Sequence, residues 1–137
     1  MLRLTRAIEF SASLRLHCPD LSEEENCRFF GPAVRHHGHN YRLEVTVRGE
    51  PDAVTGMVMD LKDLNELLER EIMTRFDHRD LNGDTPYFEK QLPTLENLAL
   101  VIRGILRKVL PAGMLDRVRV FEDSDLWVDV SESEEGA

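Results

Sequence analysis

The sequence predicts an α+β domain in which four strands form an antiparallel sheet and two helices pack on one face of it. Apolar and polar residues alternate over much of residues 2–16 and 41–48, and again over residues 118–130, and this period is typical of half-buried strands. Between these regions, apolar residues recur at helical spacing in residues 61–72 and 94–109. Strands grouped apart from helices favour the order ββααββ.

The first half of the chain predicts two long strands and one short helix. The first strand, residues 2–16, has one apolar face and ends before Pro19 and Asp20, which suit a turn. Ser22 followed by Glu25 is a capping-box pattern, which predicts a short helix over residues 21–30. The second strand then runs from about His37 to Arg48.

The second half predicts two helices and two strands. Asp60 and Thr94 are suitable N-caps for the helices, and Pro111 follows the second helix. A polar loop over residues 76–84 separates the helices, and strands are expected at residues 118–122 and 126–130. We therefore expect a single domain over residues 1–130, followed by an acidic tail at residues 131–137.

Composition excludes several classes of function. The chain has 137 residues and a net charge of −9, which argues against non-specific nucleic-acid binding. Without a membrane-length apolar run or a signal-peptide pattern, we expect no membrane partner, a cytoplasmic protein, and free thiols at Cys18 and Cys27. Because two helices cover only one sheet face, the other face is expected to meet solvent or another subunit, which favours a homo-oligomer.

The most informative stretch lies at the start of the second strand. Three of the five histidines of the chain are His36, His37 and His39. Side chains two residues apart point to the same face of a strand, so His37 and His39 can present two imidazoles to one metal ion or one substrate. Two histidines without any ligand are the alternative interpretation.

Six short motifs occur in an order that resembles one known family. They are FSAS at 10–13, HGHNY at 37–41, TGMVMDL at 55–61, DHRDLN at 77–82, PTLENLA at 93–99 and VRVFE at 118–122. Together they resemble the 6-pyruvoyltetrahydropterin synthases and their relatives, the 6-carboxytetrahydropterin synthases of queuosine synthesis. The resemblance covers about residues 5–130 and implies a T-fold, assembled into trimers that stack into a hexamer with active sites between subunits.

The resemblance also implies roles for particular residues. Family members eliminate triphosphate from 7,8-dihydroneopterin triphosphate at a zinc ion held by three histidines, two of which match His37 and His39. A cysteine acts as base with the help of an aspartate–histidine pair that matches Asp77 and His78. Glu122 matches the residue that anchors the pterin ring, and Thr94 and Glu96 match residues near that pocket.

Two positions depart from the family pattern. The third zinc ligand corresponds to Leu14, and the base cysteine corresponds to Ala33, in a loop about two residues shorter than in the animal synthases. Leucine cannot bind a metal, and alanine cannot transfer a proton. The nearby groups that could replace the missing ones are His17, Cys18, Cys27 and His36.

These departures lead to two competing expectations. The first is a divergent family member that binds a pterin-like ligand, holds zinc weakly or not at all, and lacks the standard synthase activity. The second is an active zinc-dependent lyase, with zinc on His37, His39 and one of His17 or Cys18. A structural or regulatory oligomer is a third possibility, which a collapsed pocket around Glu122 would favour.

Overall fold

The computed structural model describes residues 1–132 and contains the predicted sheet with one additional strand. In chain order the strands and helices are β1 (Leu2–Leu14), α1 (Glu23–Phe30), β2 (His37–Gly49), α2 (Leu61–Leu68), α3 (Thr74–Phe76), β3 (Arg79–Asp80), α4 (Leu95–Val109), β4 (Leu115–Asp123) and β5 (Leu126–Ser131). A 3₁₀ turn (Gly31–Val34) precedes β2, and a π-helical turn (Glu69–Met73) joins α2 to α3. The predicted α+β class is confirmed.

The strand order across the sheet is β3-β1-β2-β4-β5. The four long strands pair antiparallel, as predicted, but β3 adds a parallel edge strand beside β1. The sequence predicts only a polar loop there, because two residues are too few to show a strand period. Tertiary hydrogen bonds create the strand: the Leu81 N–H donates to the Ser13 carbonyl oxygen at 2.8 Å.

The core lies between the sheet and the helices. Alternate residues of β1 and β2, including Phe10 and Leu43, are buried against helix residues such as Leu64 and Ile102. The Phe10 ring stacks on Tyr41 with ring centroids 5.2 Å apart. Burying each large apolar side chain contributes roughly 1.5–3 kcal/mol, so this layer fixes which face of the sheet the helices cover.

The predicted helix caps are confirmed. Ser22 Oγ accepts a hydrogen bond from the Glu25 N–H at 3.0 Å, and the Glu25 carboxylate accepts one from the Ser22 N–H at 3.1 Å. Asp60 accepts from the Lys62 N–H, and Thr94 accepts from an N–H in the first turn of α4. These caps satisfy N–H groups that a helix start leaves without partners.

The opposite face of the sheet is polar and carries ion pairs. Arg119 donates to both carboxylate oxygens of Asp129, at 2.6 and 3.0 Å, and its guanidinium lies 5.5 Å from the centre of the Trp127 ring. Trp127, on this face of the edge strand β5, is about half exposed. None of the helices in the described part of the chain is long and apolar enough to cross a membrane.

The end of the described chain belongs to the sheet. Ser131 is the last residue of β5, and the Glu132 N–H donates to the Asp116 carbonyl oxygen at 3.0 Å. The Glu132 carboxylate also lies 3.6 Å from the Arg107 guanidinium. The first two residues of the predicted acidic tail are therefore ordered by pairing, and residues 133–137 of that tail lie outside the described residues.

Candidate functional site

His37 and His39 open β2 on the face that the helices cover. They share that face with Tyr41, as the strand period predicts, and their rings lie 5.0 Å apart at a steep angle. Gly38 between them lies against β1, where an added Cβ would approach the Ala12 carbonyl oxygen to 3.2 Å. Glycine thus allows the two strands to approach closely at this point.

The tautomer of His37 is set by a backbone contact. Its Nδ1 lies 2.8 Å from the Arg35 carbonyl oxygen, which can only accept a hydrogen bond. Nδ1 therefore carries the proton, and Nε2 of the neutral ring is left as an acceptor or a metal ligand. A neighbouring hydrogen bond of this kind is what orients a metal-binding imidazole.

A cavity of about 780 Å³ lies over this histidine pair, and we call it the main cavity. It collects most of the residues singled out in the sequence, together with apolar residues from β1, the 3₁₀ turn and β5. Its lining consists of Leu14, Leu16, Phe30, Pro32, Ala33, His37, His39, Pro93, Thr94, Leu95, Glu96, Glu122, Leu126 and Val128. Strand parity explains Val128, but no pattern in the sequence points to Phe30 or Pro32 as residues of the cavity.

Glu122 reaches this cavity from a β-bulge. The β4–β5 register shifts between Phe121 and Asp123, so Glu122 is the extra residue of the bulge. Its carboxylate lies 3.5 Å from His39 Nε2, and both side chains are about a quarter exposed. Burial, and secondarily the Glu122 charge, raises the pKa of Tyr41 well above its usual value, so the phenol beneath the site stays neutral.

Asp77 and His78 lie at a different place, beside the edge of β1. Asp77 accepts a hydrogen bond from the Ser11 N–H at 2.9 Å and lies 3.0 Å from His78 Nδ1. The Ser11 N–H, and next the His78 ring, holds the pKa of the Asp77 carboxyl below its usual value. The carboxylate thereby places the His78 proton on Nδ1 and leaves Nε2 as the basic atom.

The Asp77–His78 pair does not line the main cavity of its own chain. His78 is highly exposed, and its backbone has a φ of 59°. It borders a second cleft of about 510 Å³ with Ser11, Ser13 and Asn40, whose parity places them on the polar face of the sheet. His39 lines both clefts.

The side chains that could replace the missing family residues do not line the main cavity. His17 and Cys18 border a separate pocket of about 400 Å³. Cys27 is an exposed free thiol outside the lining of the main cavity, and His36 Nε2 lies 3.3 Å from an oxygen of Asp80. Within one chain, none of these four side chains lines the main cavity together with His37 and His39.

The donor set at the histidine pair does not fit catalytic zinc. Leu14 pairs directly with His37 across the strands and is almost completely buried, so an apolar side chain occupies the position that the resemblance implies for a third ligand. Within residues 1–132 there is no group of three or more His, Cys, Asp or Glu side chains that could hold a metal ion. A catalytic zinc site typically has three protein ligands.

Comparisons with known proteins agree with this fold. A family model described as 6-pyruvoyl tetrahydropterin synthase matches residues 3–133. The 6-pyruvoyl tetrahydrobiopterin synthase of Homo sapiens is 48% identical over 122 residues, which cover 88% of this chain and 84% of that protein. The protein of the same name from Dictyostelium discoideum is 40% identical over 125 residues, covering 91% and 92% of the two chains.

The tertiary structure leads to the same family. The solved structure of 6-pyruvoyl tetrahydropterin synthase from Caenorhabditis elegans superposes with a TM-score of 0.90 at 33% sequence identity, and the match covers 96% of each chain. The family match and the identity to the curated relatives extend over most of the chain. The chain therefore belongs to the 6-pyruvoyl tetrahydropterin synthase family.

Proposed function

We propose that this protein binds a pterin-like ring in the main cavity and does not carry out the standard synthase reaction at a useful rate. The observation that carries the proposal is the Glu122 carboxylate, which lines the cavity. In the part of the chain that the structure describes, its one ion-pair contact is His39, at 3.5 Å. A carboxylate held in this way can accept two parallel hydrogen bonds from the amino group and ring N–H of a pterin.

The shape and walls of the cavity support a flat heterocyclic ligand. Its volume of about 780 Å³ lies within the usual range for small-molecule sites, which are mostly apolar with a few polar groups. Thr94 and Glu96 lie at its wall, at the start of α4. Thr94 Oγ1 accepts a hydrogen bond from the Asn97 N–H, so its own proton is available for a ring acceptor.

The same cavity supports the loss of the standard reaction. The resemblance implies that triphosphate elimination needs a third imidazole on zinc and a cysteine base, and Leu14 and Ala33 line the cavity at the corresponding positions. Neither side chain binds a metal or moves a proton. In this proposal zinc is absent or weakly bound.

Asp77 and His78 remain candidates for other chemistry on a bound ring. The resemblance implies active sites between subunits, so we propose that the pair of one subunit faces the main cavity of a neighbour in a homo-oligomer. The exposed His78 ring and the uncovered polar face of the sheet are consistent with such an assembly. Light scattering on the purified protein tests whether it assembles, and a hexamer is the expected mass.

Isothermal titration with pterin tests the ligand proposal. Wild-type protein is expected to bind, and Glu122→Gln is expected to weaken binding at least 30-fold, or roughly 2 kcal/mol, because the amide loses the charge-assisted pair. Glu66→Gln, the same change at an exposed residue of α2, is the matched control. Absence of pterin binding by the wild type would overturn the proposal.

Metal content and turnover test the second half of the proposal. Elemental analysis of protein purified without chelators, and again after zinc addition, is expected to give far less than one zinc per chain. Incubation with 7,8-dihydroneopterin triphosphate is expected to release no triphosphate above background. Stoichiometric zinc together with enzymatic release would mean that this chain is an active synthase.

A further inference from the structure

The main cavity carries a carboxylate at one end and is apolar at the other. The strand order β1-β2-β4 places Glu122 two strands away from Leu14, with the histidine pair on the strand between them. Two interstrand spacings correspond to roughly 10 Å. The cavity therefore runs across the sheet from a carboxylate on β4 to an apolar wall beyond β2.

The apolar end is built by two adjacent segments. The Leu16 N–H donates to the Ala33 carbonyl oxygen at 2.8 Å, which joins the end of the β1 segment to the 3₁₀ turn. Leu14, Leu16, Phe30, Pro32 and Ala33 all line the cavity in this region. His37 pairs with Leu14 at this end, and its Nδ1 lies against the Arg35 carbonyl oxygen, so Nε2 is the ring nitrogen left for other partners.

The charge that this chain contributes to the lining opposes an anionic ligand group. Among the described residues that line the main cavity there is no Lys or Arg, and the two formally charged ones are Glu96 and Glu122. Desolvating a phosphate or carboxylate without a cation partner is costly.

We infer that the ligand is a pterin-like ring with a small uncharged substituent, alkyl or hydroxyalkyl, and not a phosphorylated or carboxylated one. This inference rests on the proposed function, because Glu122 orients the ring. The hydrogen-bond donors of the ring lie on its pyrimidine edge, so a ring paired with Glu122 directs its opposite edge toward Leu14 and Leu16. The substituent on that edge then enters the apolar end.

Titration with a series of ligands that share one ring tests the inference. Pterin, 6-methylpterin, 6-hydroxymethylpterin and 6-carboxypterin keep the pyrimidine edge unchanged and differ only in the substituent. The expected result is that 6-methylpterin binds at least tenfold more tightly than 6-carboxypterin. Equal or tighter binding of 6-carboxypterin would overturn this inference but not the proposed function, whereas failure of every pterin to bind would overturn both.

A charge placed in the apolar end gives an independent test. Leu16→Lys places a cation on the cavity wall at a partly exposed position. If this variant does not fold, Ala33→Lys places a cation on the same wall from the adjacent turn. Each is expected to improve 6-carboxypterin binding at least tenfold relative to 6-methylpterin. Leu100→Lys, at an exposed leucine of α4 outside the cavity, is the matched control. An unchanged ratio in a folded Leu16→Lys or Ala33→Lys variant would contradict the inference.

Discussion

The main cavity and the edge of β1 differ in what holds their polar side chains in place. At the edge, Asp77 accepts a hydrogen bond from the Ser11 N–H, so the carboxylate completes the pairing of a strand. In the cavity, Glu122 sits in a bulge and contacts His39 at 3.5 Å. The Asp77 carboxylate therefore satisfies a backbone N–H of the fold, whereas the Glu122 carboxylate accepts no backbone hydrogen bond among the described residues.

This difference decides which carboxylate, that of Asp77 or that of Glu122, is better evidence for a ligand site. A side chain that satisfies a backbone N–H is explained by stability, whether or not it takes part in a reaction. A partly buried carboxylate without such a role costs free energy unless a ligand compensates it. Glu122 is therefore the stronger indicator of function, although Asp77 and His78 match the family motif equally well.

The largest change is expected in zinc affinity, when a metal-binding side chain is placed at position 14. Leu14→His places a third imidazole opposite His37, so zinc affinity is expected to rise at least about 100-fold, or roughly 2.7 kcal/mol. Zinc titration and elemental analysis measure this effect. Without zinc the variant is expected to lose about 1–3 kcal/mol of stability, because a polar ring replaces a buried leucine.

Leu100→His adds an imidazole at an exposed position of α4 and is the control. A folded Leu14→His variant that binds no more zinc than this control would show that the cavity lacks more than one ligand. The Leu14 position alone would then not explain the proposed weakness of zinc binding.

The next largest effect is expected in the free energy of unfolding, which should respond differently when Asp77 and Glu122 are replaced. Asp77→Ala is expected to lower the free energy of unfolding by about 1–3 kcal/mol, because the Ser11 N–H loses its acceptor. Glu122→Gln is expected to leave stability unchanged or to raise it. Urea denaturation of both variants measures this contrast, and a larger loss for Glu122→Gln would reverse the assignment of roles.

The pH dependence of stability tests whether the contacts of Asp77 hold its carboxyl group in the charged form. Its pKa in the folded protein lies below the ordinary value because the Ser11 N–H and the His78 ring favour the charged form. The stabilisation is therefore complete above the unfolded-state pKa of about 3.9, and it is lost as the pH falls through the lower folded-state value.

Asp77→Asn keeps an oxygen acceptor but cannot titrate, so its stability is expected to fall less steeply than that of the wild type below about pH 4. Thermal unfolding of both proteins between pH 2 and pH 7 measures the difference. Parallel curves over this window would mean that Asp77 is not held in its charged form by these contacts.

The smallest effect is expected at His36. Its ring lies 3.3 Å from Asp80 but is more than half exposed, and exposed ion pairs contribute at most about 1 kcal/mol. His36→Ala is expected to lower the unfolding free energy by no more than this amount and to leave pterin affinity unchanged. A strong loss of affinity in titration would place His36 in the site.

Much of the fold follows from local patterns in the sequence. The long strands and helices, the capping box at Ser22 and the shared face of His37 and His39 each depend on residues close together in the chain, and the structure confirms them. Strand β3 depends instead on hydrogen bonds between residues 79–81 and β1. No local period specifies such a pairing.

The sequence by itself determined the family motifs, the parity of the strands and the absence of a ligand at Leu14, because these are properties of residue type and spacing. Only the tertiary structure decided that His17 and Cys18 border another pocket and that Asp77 and His78 lie away from the main cavity of their own chain. Only the packed chain placed Glu122 beside His39. Distances between strands depend on register, bulges and packing, and spacing along one segment carries no information about them.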